Sequence, residues 1–572
     1  MAEASPAKSQ NNELQFRSER WLVAAILLLY TAMLAWGDYR HSPIADEPAY
    51  LASGISHWQY GHFELCKVSP PLVRLVAALP VVLSGVELDE YGLSFRSMGR
   101  FEHHAGRKFL SAYGQDSFWW FTVGRWACIS FALLGAWICY RWAKQLYGSS
   151  AGLACLILWC ASPNVLAHAQ MLNADVGVTS LSVATCYLFW RWAKQLDLLL
   201  AILAGATLGL AILAKTNAVV LPPVICLASL TYRYWQRDVQ LAKQCAHLSI
   251  AFVLAVYVIN AGYGFAGSFV PLKDFHFVSQ AFTGGATPAG KYAFYGSVLD
   301  RVPVPLPAPF VEGIDLQKRD FENSNDGFKT YLRGHWYDHS WWWYYLYVVA
   351  VKVPLGTWVL VGLGALLLIG RMVPNQADVL CFIIAPGVAM FWLTSMQTGF
   401  GAGIRYVLPA FPFAFLVGSA AFYRGISHRV RWLAGLALVL GPVASLYTFP
   451  HSLCYFNLLG GGPNNGHFHL IDSNMEWGQN LLYVKEWLEK NKDLEKGPVY
   501  VAQWSFYPLD GLGLDFTEPQ VSATGPIPPG TYLISTNFLR GNAHMKRMEL
   551  RRFLELVPDE RIAYTTYVYR IP

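Results

Sequence analysis

The sequence predicts a polytopic α-helical membrane protein that ends in a small α/β domain. Hydrophobic residues make up 54% of the 572 residues and charged residues only 14%, whereas soluble chains usually carry about 25% charged residues. Apolar runs long enough to cross a bilayer recur along residues 21–449, and the composition changes after residue 450. These observations exclude an ordinary cytosolic enzyme and a disordered scaffold.

Eleven apolar runs are predicted to span the membrane, because a span needs roughly 20 mostly apolar residues. They lie at about residues 21–36, 120–140, 150–168, 176–192, 198–214, 217–234, 246–264, 353–370, 377–395, 404–423 and 432–449. The run at residues 71–83 is apolar but shorter, and we predict a helix that lies in the membrane interface.

The orientation follows from basic residues, which are enriched in the short cytoplasmic loops of membrane proteins. They occur at every second loop, and Arg17 and Arg20 precede the first span. The pattern predicts a cytoplasmic segment at residues 1–20 and a multi-span membrane domain at residues 21–449. The large loops at residues 37–119 and 265–345 are then extracytoplasmic. The net charge of +6 is too modest and scattered for nucleic-acid binding, but it suits basic loops on anionic membrane lipid.

Residues 450–572 are predicted to form the extracytoplasmic α/β domain. The spacing of apolar residues predicts a helix over residues 480–490, and β-rich runs predict strands at residues 498–504 and 531–536. The motif at residues 472–479, Asp-Ser-Asn-Met-Glu-Trp-Gly-Gln, suggests no chemistry by itself. Acceptor recognition and a structural turn both remain open for it.

The first extracytoplasmic loop carries two adjacent carboxylates, Asp46 and Glu47, directly after a span. A carboxylate that is partly removed from water at such a site can serve as a general base. Another interpretation is a solvated pair in which Asp46 caps the helix that follows Pro48. Spacing alone does not decide between them.

Further charged residues converge on the same membrane face from different spans. Asp175 precedes one span, Lys215 ends another, and Arg125 and Arg405 begin two more. An N-cap role for Asp175 and snorkelling of Lys215 are the structural alternatives. Together, acids that deprotonate a hydroxyl and cations that neutralise a departing phosphate are what phosphoryl leaving-group chemistry requires. The sequence contains no Walker A motif, nucleophile elbow or zinc-ligand spacing.

Several of these segments resemble the GT-C superfamily of glycosyltransferases. The closest resemblance is to the family 39 branch, which includes protein O-mannosyltransferases and the lipid A aminoarabinose transferase of bacteria. The segments that carry it are Asp46-Glu47-Pro48-Ala49-Tyr50, Pro70-Pro71-Leu72-Val73-Arg74-Leu75, Ser162-Pro163-Asn164, Gly209–Lys215, Gly334–Pro354 and Gly403–Pro409.

The resemblance implies a hexosyl- or pentosyltransferase in the bacterial inner membrane that uses a polyprenyl-phosphate sugar as donor. It implies an inverting displacement with Asp46, Glu47 and Asp175 as catalytic residues. Asp46 is the general base or positions the acceptor, Glu47 supports it or orients the acceptor, and Asp175 contributes to the acceptor or donor site. Arg125, Lys215 and Arg405 become candidates for the donor phosphate. Many relatives carry His or Lys directly before Pro-Pro-Leu, whereas this chain has Ser69 there, so Lys67 joins the phosphate candidates.

The sugar, the acceptor and a metal requirement stay open. The acceptor is a protein, a lipid or a glycan. Some relatives bind a divalent metal, but this sequence offers too few ligands to assign one. The alternative function is a transporter or flippase of lipid-linked sugars. A transporter usually has pseudo-repeated halves, and none is detectable here.

Overall fold

The computed structural model describes residues 6–93, 100–237, 240–284, 295–322, 329–492, 495, 497–514, 516–541 and 547–572, with side chains from residue 18 onward. Helices dominate up to residue 448. They are α1 (Pro6–Arg40), α2 (Glu47–Tyr60), α3 (Leu72–Leu83), α4 (Glu102–Tyr113), α5 (Ser117–Tyr147), α6 (Ser149–Cys160), α7 (Pro163–Ala169), α8 (Ala174–Gln195), α9 (Leu198–Ala214), α10 (Leu221–Trp235), α11 (Leu241–Gly262), α12 (Gln280–Thr283), α13 (Ala308–Glu322), α14 (Tyr344–Lys352), α15 (Leu355–Ile369), α16 (Gln376–Val379), α17 (Ala385–Ser395), α18 (Phe411–Ser419) and α19 (His428–Thr448).

A helix or bent helix pair occupies each of the eleven predicted spans. Within the described residues, six helical segments are by themselves long and apolar enough to cross a membrane. They are Ser18–Arg40, Glu102–Tyr147, Thr216–Trp235, Leu241–Gly262, Gln376–Ser395 and His428–Thr448. The number rises to eight if the pair α6 and α7, bent by 56°, and the pair α14 and α15, bent by 114°, each count as one span.

Three predicted spans fall outside this count for physical reasons. The helix α9 and the helical segment Leu408–Phe422 are apolar but shorter than 18 residues. The helix α8 has 22 residues, and nearly all of them are buried, with α5 and α9 packed against it. Polar residues such as Thr179, Ser180 and Thr185 lower its apolar character. A helix that is surrounded by protein does not need a wholly apolar surface.

The first large loop is a compact layer of three helices, α2, α3 and α4. The predicted helix at residues 71–83 is confirmed as α3. The backbones of α2 and α4 approach closely at Gly106, where a Cβ atom would lie 2.7 Å from the carbonyl carbon of Pro48. This contact fixes the start of α2, and therefore the position of Asp46.

The C-terminal segment contains a four-stranded sheet. Its order is β3 (Val499–Ala502), β4 (Gly530–Ser535), β6 (Thr566–Ile571) and β5 (Glu560–Ile562), and only the β3–β4 pair is parallel. A shorter hairpin, β1 (Thr330–Leu332) with β2 (His335–Tyr337), lies earlier in the chain. The predicted helix and both predicted strands are confirmed as α20 (Leu481–Asn491), β3 and β4.

Side chains alternate between the two faces of the C-terminal sheet, as expected for β-strands. One face packs Leu533 and Val568 against α20. The other packs Tyr532 and Tyr569 against the 3₁₀ helix Met548–Glu555. An amphipathic helix is also typical of the sequence at residues 544–556, of which residues 544–546 lie outside the described residues. The sheet is thus a layer covered on both sides.

The segment between α19 and α20 is irregular and packs against the membrane helices. Cys454, Phe456, Leu470 and Met475 belong to the same apolar core as those helices. The C-terminal region therefore consists of a small α/β unit and a connecting segment that is part of the main core. The connecting segment covers the end of the helix bundle at which the charged residues meet.

Candidate active site

A cavity of about 530 Å³ with several charged side chains in its walls lies at this end of the helix bundle. Its walls come from the start of α2, the start of α8, the end of α9, the segment at residues 400–406, α13 and the C-terminal segment. Four charged residues that were predicted from the sequence line it: Asp46, Asp175, Lys215 and Arg405. These residues are separated by up to 359 positions in the chain, so the fold brings them together.

Asp46 occupies the N-cap position of α2 but makes no side-chain capping bond. Its Oδ2 atom instead pairs with Nη1 of Arg405 at 3.0 Å. The Asp46 side chain is 29% exposed and that of Arg405 18% exposed. The capping alternative for Asp46 is therefore wrong, and its carboxylate is partly desolvated, faces the cavity and is held by one cation.

A second carboxylate–cation pair lies beside the first. Lys215 Nζ is 2.6 Å from Oδ1 of Asp175, and the ammonium group lies 4.1 Å from the centre of the Tyr406 ring. Asn173, not Asp175, caps α8, because its side chain accepts a hydrogen bond from the Asp175 backbone amide. Snorkelling of Lys215 toward water is also wrong, since the side chain is 12% exposed and pairs within the cavity.

Glu47 and Arg125 lie behind the cavity wall as a fully buried pair. Arg125 donates to both carboxylate oxygens of Glu47, at 2.7 and 2.5 Å. It also donates to the carbonyls of Asp38, His41 and Ser42. Since these bonds use the whole guanidinium group, the structure does not place Arg125 where the sequence predicted it, at a phosphate.

Glu47 is saturated in the same way. Besides Arg125, its carboxylate accepts the backbone amides of Ile44 at 2.8 Å and Leu172 at 2.5 Å. The side chain is 0% exposed, so it has no path to a substrate. The Glu47–Arg125 pair therefore fixes the loop before Asp46 to α5 and to the loop before α8.

Lys67 also lies apart from the cavity. Its ammonium group pairs with Glu312 of α13 at 2.8 Å and is 7% exposed. The backbones of Lys67 and α13 also approach closely, because a Cβ atom at Gly313 would clash with the Lys67 carbonyl. Lys67 thus anchors the first loop to α13, and the predicted phosphate contact is not made from this position.

The cavity contains charged residues that the sequence did not single out. Arg100 pairs with Glu102 at 3.4 Å and with Asp320 at 3.8 Å, and Arg107 lines the same wall. These residues lie in segments of mixed composition with no distinguishing motif. The motif at residues 472–479 also reaches the cavity, because its Trp477 lines it.

An apolar cleft of about 170 Å³ opens beside the cavity. The two share Lys215, Gln317, Phe321 and Tyr406. The remaining walls of the cleft include Val219 and Leu393, at helices that face outward from the bundle. A cavity with charged side chains that continues into an apolar cleft suits an amphiphile with a charged head and a hydrocarbon chain.

Metal ligation has no counterpart in the described residues. Within them, no group of three or more His, Cys, Asp or Glu side chains is arranged to hold an ion.

A buried carboxyl group, Glu476, joins the C-terminal sheet to the cavity wall. It accepts hydrogen bonds from the Asn537 amide at 3.0 Å, the Thr536 hydroxyl at 3.1 Å and the Gln503 side chain at 2.9 Å. Burial raises the pKa of Glu476 from 4.5 to about 7, although these hydrogen bonds oppose the shift.

This shift predicts a pH dependence of stability. The folded state holds a proton on Glu476 that the unfolded state releases near pH 4.5, so stability falls as the pH rises from 4.5 to about 7. Since one pKa unit is worth about 1.4 kcal/mol, the free energy of unfolding of this region should fall by a few kcal/mol. Hydrogen exchange at residues 530–537 should detect the change. Glu476→Gln should flatten the profile, and an equally steep profile in that variant would contradict the assignment.

One family matches the chain. Residues 120–263 match the family model described as dolichyl-phosphate-mannose-protein mannosyltransferase. The matched region runs from α5 to the end of α11 and contains Arg125, Asp175 and Lys215. No curated protein sequence matches the chain.

Two solved structures are similar to the chain over most of its length. The crystal structure of ArnT from Cupriavidus metallidurans bound to undecaprenyl phosphate is 14% identical, covers 96% of this chain and 97% of that chain, and has a TM-score of 0.45. The Archaeoglobus fulgidus oligosaccharyltransferase tethered with an acceptor peptide is 10% identical, covers 93% of this chain and 72% of that chain, and has a TM-score of 0.43.

These structural similarities are too distant to carry functional detail, so the family match over residues 120–263 is the more informative comparison. The matching family is one that the sequence resembles. The matched residues include Asp175 and Lys215, which line the cavity. Over residues 120–263 the chain is similar to the dolichyl-phosphate-mannose-protein mannosyltransferases, and six to eight of its described helices or helix pairs are long and apolar enough to cross a membrane.

Proposed function

We propose that the protein transfers a sugar from a polyprenyl-phosphate donor to an acceptor hydroxyl, with inversion at the anomeric carbon. The observation that carries this proposal is the pair of carboxylate–cation contacts, Asp46 with Arg405 and Asp175 with Lys215, in one cavity. The description of the matching family supports a donor of this class, since it names a dolichyl-phosphate sugar. The acceptor is a protein, a lipid or a glycan.

The reaction needs a base and a means of neutralising the leaving group. Asp46 accepts the proton of the acceptor hydroxyl, whose oxygen attacks the anomeric carbon. The bond from that carbon to the phosphate oxygen breaks, and the polyprenyl phosphate departs as an anion. Lys215 and Arg405 neutralise this charge in a cavity that is partly shielded from water, where electrostatic stabilisation is strongest.

The pairing of Arg405 with Asp46 links donor binding to base activation. In the described structure Arg405 pairs with Oδ2 of Asp46, so this oxygen already has a partner. A donor phosphate that binds Arg405 weakens this pairing and frees the carboxylate to accept a proton. Asp175 positions Lys215, because its carboxylate holds the ammonium group at the cavity wall.

The lipid chain of the donor fits the apolar cleft beside Lys215. The cleft and the cavity meet at Lys215 and Tyr406, so a phosphate at Lys215 leaves its hydrocarbon chain next to apolar side chains. Glu47, Arg125 and Lys67 act at a distance in this proposal. They hold the loops that carry Asp46.

We propose the bacterial inner membrane as the location, with a cytoplasmic N-terminus and an extracytoplasmic active site and C-terminal domain. The basic residues of the predicted cytoplasmic loops support this orientation, since such residues resist translocation. The charged cavity and the C-terminal domain lie at the same end of the bundle.

The function is tested with a donor that carries one label on the sugar and another on the lipid phosphate. Purified protein in sealed vesicles receives this donor together with an envelope fraction as the source of acceptor. A transferase separates the two labels and leaves the lipid phosphate in the membrane. Movement of both labels together across the bilayer, without cleavage, would instead establish the transporter alternative.

Lys215→Met should lower kcat/KM for the donor by about 10- to 100-fold, the value of a hydrogen bond to a charged group. The loss should appear largely as a higher KM, because the donor phosphate loses a cation. The matched control is Lys194→Met, which removes the lysine of another aspartate pair, Lys194–Asp378 at 2.8 Å, remote from the cavity. Equal losses in the two variants would contradict a phosphate site at Lys215.

A further inference from the structure

The segment Asp472–Gln479 packs between the two loops that carry the Asp46–Arg405 pair. We propose that Trp477 is a positioning residue that holds the Arg405 guanidinium group in the cavity, beside Asp46 and within reach of the donor phosphate, so that the C-terminal segment completes the active site. This inference rests on the proposed function, because it assigns Trp477 a place in the same reaction. The carrying observation is that one short segment contacts both members of the pair.

The first contact is with the backbone before Asp46. The Trp477 carbonyl accepts the amide of Ala45 at 3.0 Å. The Gln479 carbonyl accepts the amide of Ser42 at 3.1 Å, and the Gly478 carbonyl accepts the Ser42 hydroxyl at 2.8 Å. The residue that immediately precedes Asp46 is therefore fixed by Trp477 itself.

The second contact is with the loop that carries Arg405. The Asn474 side chain accepts the amide of Ile404 at 3.0 Å, and the Ser473 hydroxyl donates to the carbonyl of Ala402 at 3.3 Å. Gly403 has a φ of +81°, and a Cβ atom there would lie 2.7 Å from the Asn474 side chain. Only glycine suits both the conformation and the close approach.

The third contact is with the Arg405 side chain. Its guanidinium carbon lies 4.1 Å from the centre of the Trp477 ring, which is itself 3% exposed. An arginine stacked on an aromatic face keeps its N–H groups in the plane of the guanidinium group, where they can still donate. The stacking therefore directs Nη1 toward Asp46. Arg405 Nε is buried and has no hydrogen-bond partner among the described residues, so the ring supplies much of the orientation.

The backbone that carries Trp477 is held in turn by residues next to the C-terminal sheet. The side chain of the preceding residue, Glu476, bonds to Thr536 and Asn537 after the end of β4 and to Gln503 after β3. The Trp477 amide donates to the Gln479 side chain at 2.7 Å. The small α/β unit thus acts as a rigid base for a residue that contacts the catalytic pair.

A double-mutant cycle on sugar transfer separates positioning from general stability. Trp477→Leu should lower kcat on the order of tenfold in the wild-type background, the value of a desolvated cation–π contact. In an Arg405→Gln background the same change should cost less than about twofold, because residues that act as one unit are not additive. Trp477→Phe, which keeps an aromatic face, should restore most of kcat.

The matched control is Trp487→Leu. Trp487 is a similarly buried tryptophan of the C-terminal unit that also lies near an arginine, Arg570, at 5.9 Å, but it does not line the cavity. This variant should keep kcat within about twofold of the wild type. Equal losses from Trp477→Leu in both backgrounds, or no loss at all, would overturn the proposal.

The four proteins of the cycle are the wild type, Trp477→Leu, Arg405→Gln and the double variant. Their melting temperatures are also compared. A stacking contact predicts that the effects of Trp477→Leu and Arg405→Gln on the melting temperature are not additive, and additive effects would overturn the contact. This readout does not depend on activity. If the wild-type protein cleaved no donor, the proposed function would fail, whereas the melting temperatures would still decide whether Trp477 and Arg405 are coupled.

Discussion

Asp46→Asn should lower sugar transfer by about 10²- to 10⁴-fold, the usual contribution of a general base. Asparagine keeps the shape of the side chain but cannot accept the proton of an acceptor hydroxyl. The donor should still bind, because Lys215 and Arg405 are unchanged. Initial rates with a labelled polyprenyl-phosphate sugar give the loss in kcat, and donor binding measured separately gives the control.

The neighbouring variant Glu47→Gln distinguishes chemistry from folding. Glu47 is 0% exposed and bonds to Arg125 and two backbone amides, so its loss should reduce the yield of folded protein. Asp46→Asn should keep a melting temperature near that of the wild type, since Asp46 is partly exposed. Transfer at a normal rate by Asp46→Asn would contradict the assignment of the base.

Arg125→Met should destabilise the protein by about 3–5 kcal/mol, because it leaves the Glu47 carboxylate buried without its partner. Three backbone carbonyls lose their donor at the same time. The melting temperature and the folded yield in detergent measure this effect. Arg141→Met is the matched control, since Arg141 is an exposed residue of the same helix, α5.

The result for Arg125→Met also decides between two functions for this residue. A stable variant with a raised KM for the donor would support the phosphate contact that the sequence predicted. An unstable variant supports the structural function that the geometry indicates. The folded fraction of Arg125→Met that survives purification should bind the donor with nearly wild-type affinity.

Much of the fold could be predicted from the sequence, because apolar runs are strong signals for helices in a membrane protein. The weak cases are α8, α9 and the helical segment Leu408–Phe422. Polar residues lower the apolar character of α8, which is enclosed by its neighbours, and α9 is shorter than a full span. The short strands of the C-terminal unit were recognised from their β-branched and aromatic residues, whereas their order in the sheet was not predicted.

The active site could be predicted in part. Asp46, Asp175, Lys215 and Arg405 stand at the ends of apolar runs, where a charge is costly unless it has a function, and the structure brings them into one cavity. The same reasoning wrongly predicted a phosphate contact for Arg125. A buried arginine that donates five hydrogen bonds within the protein has the same sequence pattern as one that binds a phosphate.

The contribution of the C-terminal segment to the site could not be predicted from the sequence. Trp477 is 72 residues from Arg405 along the chain, and the pattern around it shows no known chemistry. Its contact depends on the path of an irregular segment between α19 and α20, which neither periodicity nor composition determines. Arg100 and Asp320 were missed for a similar reason, since their pairing joins a loop to α13.

The most direct test of a lipid-phosphate sugar transferase is the release of free polyprenyl phosphate from a panel of donors. Purified wild-type protein in lipid is supplied with polyprenyl-phosphate mannose, glucose, galactose or aminoarabinose and an envelope fraction as acceptor. We predict release from at least one donor, at a rate that Asp46→Asn and Lys215→Met both lower. Release that is unchanged in both variants, or no release from any donor by folded wild-type protein, would contradict the account.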